Sequence, residues 1–350
     1  MMKTLQLCPY ALGGCLAALL LAGCAAPQPA SGGAGVLPQT LGKPFTALNL
    51  YVANYTGNAV TVYEPGTGTP SLTISAGVDG PYCLAFDTSN DLYVANNGNN
   101  TVTVYKNGSS SILATISKNV SSPYAVAFDT TNRRLYVAND PGPPPGSVTV
   151  YSGATYKRTI TAGVDSPDAL AIDSSGDVYV ANAPDFSSYP PGSVTVYSPK
   201  NVLLRTITAG IDGPDALAFD TSGNLYVANE LNNTVTVYAA GSTSASLTIS
   251  KGIDLPDALT IGPSGYLNVA NYNSNSVTQY APGSANVART ITKGISFPTS
   301  IAFGSNGYLN VANDGGGGYG SVTEYPPGSG SVSRTITDGI NGPQYVTFGP

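Results

Sequence analysis

The chain has 350 residues, a formal charge of −6, only 10% charged residues, no histidine and no block of Lys or Arg. Nucleic-acid binding needs a basic face, so it is not expected here. Without histidine there is no Ser-His-Asp or Cys-His catalysis and no H-E-x-x-H metal site, which leaves carboxylates to carry any chemistry.

Residues 1–23 hold Lys3, the apolar run Leu16–Leu21 and then small residues. That is the pattern of a secretory signal, too short for a stable spanning helix. Leu21-Ala22-Gly23-Cys24 resembles the bacterial lipobox. In that family the cysteine is lipidated and becomes the first residue of the mature chain; the alternative is a plain secretory signal cut near Ala26. Lipidation at Cys24 implies an exported protein of the bacterial cell envelope, held to a membrane. Residues 24–49 follow as a tether. Its stretch Ala25–Lys43 is rich in Pro, Gly, Ser and Ala, and such a coil spans roughly 25 Å.

From Leu50 a short motif recurs. LYVAN at Leu50–Asn54 returns at Leu92, Leu135, Val178, Leu225, Leu267 and Leu309, at steps of 42, 43, 43, 47, 42 and 42 residues. A fixed period of this size marks a repeat architecture, here filling 50–350. In the copy 214–250, the apolar run 215–219 reads as a strand buried on both faces. The turn 220–224 leads to a second strand at Leu225, and Thr234-Val-Thr-Val-Tyr238 alternates as a third. Ala245–Ser250 is the fourth. Seven units of four antiparallel strands predict an all-β, seven-bladed β-propeller. The LYVAN copies, the TVTVY third strands and the P-x-A-L-A-F-D first strands resemble the YVTN and NHL propeller repeats. That resemblance implies the fold but not a function, because such propellers serve as enzymes, binders and scaffolds. The region opens on a second strand and ends on a lone first strand, Gln344–Gly349, so the C-terminal strand is expected to complete blade 1 and close the ring. Arginines on the outer strands (Arg158, Arg205, Arg289, Arg334) are read as charges that discourage edge-to-edge pairing. Cys83 takes the place of Ala125, Ala169, Ala216 and Ala258 in other repeats. It reads as a small buried hydrophobe, and a core of this size needs no disulfide.

Residues repeated in every unit are explained by the fold. The asparagine closing each LYVAN copy reads as a turn residue, and the tyrosine closing each third strand as packing. The position after each proline varies instead: Tyr82, Tyr124, Asp168, Asp215, Asp257, Thr299, Gln344. Strand alternation places it at the mouth of the central channel, on the face that also carries the long loops 140–146, 183–192 and 314–320. Asp168, Asp215 and Asp257, with Tyr82, Tyr124, Phe186 and Tyr189, form the candidate ligand site. The bland alternative is that each Asp caps a turn. Carboxylates held together repel unless a divalent cation, a ligand amine or sugar hydroxyls sit among them.

Two functions fit these residues. One is an envelope lipoprotein whose propeller, as a monomer, binds or scaffolds an envelope protein, a glycan or a small ligand. The other is a metal-dependent hydrolase or lyase of the gluconolactonase-like propeller type, a class implied by resemblance; the lack of histidine counts against the lyase.

Overall fold

A computed structural model describes residues 48–142, 146–184, 191–316 and 319–350. The signal, Cys24 and most of the tether lie outside them. The described residues form 28 strands in seven four-stranded antiparallel sheets, a seven-bladed β-propeller whose blades 2 to 7 span 81–116, 123–160, 167–207, 214–249, 256–291 and 298–336. No helix among them is long and apolar enough to cross a membrane.

Blade 5 shows how the sequence sets the layers. Its strands are Pro214–Phe219, Leu225–Asn229, Thr234–Tyr238 and Ala245–Ile249. The first two lie nearest the axis between neighbouring blades, so both faces are covered and their residues are nearly all buried. The fourth lies at the rim and buries only Ile249 fully. Continuous apolar runs therefore belong inside, and mixed polar sequence outside.

Blade 1 is assembled from both ends of the chain. Pro343–Gly349 is its innermost strand and pairs with Asn49–Asn54, with Asn49 opposite Gly349 and Val52 opposite Val346. This is the expected closure.

The seven third-strand tyrosines do more than pack. Each is almost fully buried, and its hydroxyl donates to a backbone carbonyl in the link arriving from the preceding blade, at 2.6–2.7 Å. Tyr105 to Ala76 and Tyr238 to Ala209 are examples. Blade-to-blade spacing is thus fixed by one bond per repeat, a role the sequence reading did not assign.

One other expectation changes. Three of the four rim arginines are tied down rather than standing as free charges. Arg158 donates to Lys200 O of the next blade, Arg334 donates to Thr67 O of blade 1, and Arg205 donates to the Tyr179 hydroxyl at 2.5 Å. Cys83 is fully buried, as its alanine-like place demands.

Candidate functional site

The lead-in to each innermost strand is held by one asparagine. The last residue of every LYVAN copy accepts, through Oδ1, the N–H two residues before the mouth proline of its own blade, at 3.0–3.2 Å. Its Nδ2 donates to a buried third-strand threonine at 2.9–3.1 Å. The asparagine therefore pins the lead-in of the first strand to the third strand of the same blade. It is not simply the turn residue that the sequence suggested.

Past that pin the ladder slips by one residue. In blade 5, Pro214 pairs with Asn229 and Ala216 with Ala228, so Asp215 is the extra residue of a bulge. The same slip occurs at Tyr82, Tyr124, Asp168, Asp257, Thr299 and Gln344. A bulge re-aims a side chain out of the regular ladder, and here the re-aimed residues meet across blades. The Tyr82 and Tyr124 rings lie 4.8 Å apart. The Asp215 and Asp257 carboxyls are hydrogen-bonded. Thr299 Oγ1 donates to Pro343 O at 2.8 Å. The variable post-proline positions thus form a ring, as expected.

Leu255 and Phe297, just before two of these prolines, have φ of 51° and 50°. Bulky residues avoid this left-handed region, yet the same place has positive φ in the other blades too, at Gly80, Ser122, Ser166, Gly213 and Gly342, so the conformation belongs to the repeat. It is held in place because their N–H groups donate to Asn233 and Asn275 of the preceding blades, at 2.6 Å each.

The ring is not the solvated arc that three turn-capping aspartates would make. Asp215 is 2% and Asp257 4% exposed, whereas Asp168 is half-buried. Burial is the main cause that pushes the Asp215 carboxyl well up. The negative charges of Asp257, Glu230 and Asp168 and the hydrogen bond to Asp257 push it further. Burial also raises Asp257, partly offset by the bond from Asp215, with Glu230 and Asp314 adding to the rise. The two therefore hold a proton between them, as adjacent like groups in a dry site do.

Glu230 and Asp314 were missed by the sequence reading. Each directly follows a LYVAN-type copy, and its N–H donates to the lead-in of the innermost strand: Glu230 to Gly213 O at 2.8 Å, Asp314 to Phe297 O at 2.9 Å. Burial pushes Glu230 up to about 7 and raises Asp314. Tyr272, at the same place in blade 6, is pushed up to about 12 by burial and then by Asp314 and Asp257. The signal available in the sequence was the same as for the first ring, a variable position (Tyr55, Asn97, Asp140, Ala183, Glu230, Tyr272, Asp314) beside a constant one.

The aromatic candidates fare unevenly. Tyr82 is 6% exposed, with Tyr55 edge-on at 5.8 Å and Tyr124 beside it, so little of its ring is open to stack on a ligand. Tyr124 is half-buried. Phe186 and Tyr189 lie outside the described residues. Among the described residues no group of three or more His, Cys, Asp or Glu could hold a metal ion. The three aspartates of the ring are thus not gathered as ligands round one point among the described residues. The ring as it stands offers acceptors for hydrogen-bond donors.

No family model matches the sequence, and no curated protein matches it. Solved structures do resemble the fold. A functionally unknown protein from Desulfotomaculum acetoxidans DSM 771 superposes with a TM-score of 0.70 at 14% identity, over 86% of this chain and 98% of that one. The periplasmic gluconolactonase of Pseudomonas aeruginosa superposes with a TM-score of 0.66 at 20% identity, over 87% of this chain and 99% of that one.

Proposed function

We propose that this β-propeller is a binding module of the bacterial cell envelope, anchored through a lipid on Cys24, with its ligand site at the acidic mouth. The repeats are read as propeller units of the YVTN and NHL kind. Support for export and anchoring comes from Leu21-Ala22-Gly23-Cys24 and the tether behind it. The observation that carries the binding site is the buried Asp215–Asp257 pair, raised on bulges and flanked by Glu230 and Asp314. So many carboxyls in a dry site favour a ligand that brings N–H donors and positive charge, an organic amine being the simplest. The test is calorimetric titration of wild type and of Asp215→Asn/Asp257→Asn with putrescine and spermidine. Binding by wild type that falls at least ~10-fold in the variant supports the site; equal binding by both, or none by wild type, removes it.

The second reading is a hydrolase. It draws on the likeness of fold to a gluconolactonase and on a carboxyl pair that can give and take a proton. Its metal-dependent form has no support among the described residues. Hydrolysis of glucono-δ-lactone by wild type, lost in Asp215→Asn, would favour this reading over simple binding.

A further inference from the structure

On the face opposite the mouth, a cavity of about 200 Å³ lies at the seam between blades 7 and 1. Asn310, on the second strand of blade 7, lines it and is 1% exposed. Its Nδ2 donates to Tyr308 O at 3.2 Å, but its Oδ1 meets no donor. Blade 6 shows the same place completed. There Asn268 Nδ2 donates to Tyr266 O at 2.9 Å, and Asn268 Oδ1 accepts from Gln279 Nε2 at 2.7 Å. Gln279 stands opposite Asn268, and Glu324 stands opposite Asn310. The change from Gln to Glu removes the amide donor: burial raises the Glu324 carboxyl and the Arg334 charge lowers it, and the carboxylate paired with Arg334 only accepts. Glu324 pairs instead with Arg334, Nε to Oε2 at 3.4 Å, and Arg334 is anchored on Thr67 O of blade 1.

We propose that this seam cavity binds a neutral polyol of monosaccharide size. A buried acceptor without a donor is rare in folded proteins and is the kind of group a ligand satisfies. One ligand hydroxyl donates to Asn310 Oδ1, and its neighbour donates to the Glu324 carboxylate that Arg334 holds in place. Leu50, Pro65 and Phe348 line the same cavity and supply an apolar wall for the C–H face of a ring. Anions are disfavoured, because Glu64 and Glu324 outnumber Arg334 in the lining, and the Glu324–Arg334 pair leaves hydroxyls as the simplest donors to Asn310. The volume lies below the ~300 Å³ at which drug-sized pockets begin, so a single ring is the fitting size.

The probes are glucose, galactose, mannose and myo-inositol, followed by ligand-observed NMR and calorimetry on wild type and on Glu324→Gln. The Gln variant rebuilds the blade 6 pair, so Asn310 Oδ1 gains an internal donor and the fold is not weakened. Wild type is expected to bind at least one probe. Glu324→Gln should bind it at least ~10-fold more weakly while melting no lower than wild type. The Asp215→Asn/Asp257→Asn protein should bind it unchanged, which separates this site from the mouth. Absence of binding by wild type at about 100 mM probe, or equal affinity in Glu324→Gln, overturns the proposal.

Discussion

A single carboxyl at the mouth makes the protein's stability depend on pH in a stated direction. In the fold, Asp215, Asp257 and Glu230 are all held above the usual carboxylate range, Glu230 up to about 7. Between about pH 4, where unfolded Asp and Glu titrate, and the raised folded values, the native chain binds more protons than the unfolded one. Stability from these groups is therefore greatest at the acid end and falls as pH rises through that window. Asp215→Asn removes one such group and keeps a donor for Asp257. Its melting temperature should equal wild type near pH 4 and exceed it at pH 8. Parallel melting curves at both pH values would show that the pair is not protonated as described. Asp215 and Asp257 could be picked out from sequence because they vary where neighbours in other repeats do not. Glu230 could not be joined to them from sequence, since its approach depends on one backbone bond, Glu230 N to Gly213 O.

At the scale of the strand, the innermost element of blade 1 is the informative one. Pro343–Gly349 was readable as a lone first strand because the chain opens its repeats at a second strand and ends on a first. The bulges were not readable: nothing in P-D-A-L-A says that two residues will face one across the ladder. Tyr345 and Val346 are each 2% exposed, and the strand lies between blades 7 and 2 as well as on its own sheet. Deleting residues 343–350 uncovers all three surfaces. At about 2–5 kcal/mol for each large core residue lost, the truncated ring should lose its cooperative thermal transition, followed by circular dichroism. A truncated chain that melts like the parent would mean that blade 1 closes by other contacts.

For the whole molecule, the ends of the strands set an orientation. Asn49–Asn54 runs from the face bearing the seam cavity, where Leu48 lies, up to the mouth face, where Asn54 accepts from Asn341 N at 3.0 Å. The tether therefore joins the ring on the side away from the acidic mouth. Cys24→Ser should move the protein from the membrane fraction to the soluble one; retention equal to wild type would count against the anchor. The repeat count and the closure were legible because each unit spells them out. The facing of the mouth followed from strand alternation alone.

The shared blade also decides how the ring bears a load. Asn49 lies opposite Gly349 and Asn54 opposite Pro343 in one antiparallel ladder, and Asn49–Asn54 pairs on its other side with Ala59–Tyr63. Pulling the two chain ends apart would peel the first ladder from Asn49 and Gly349, one pair after another, at low force. Tension between an N-terminal anchor and something held at the mouth runs along Asn49–Asn54 instead. That strand must then slide against both neighbours at once, and the bonds on its two edges resist together.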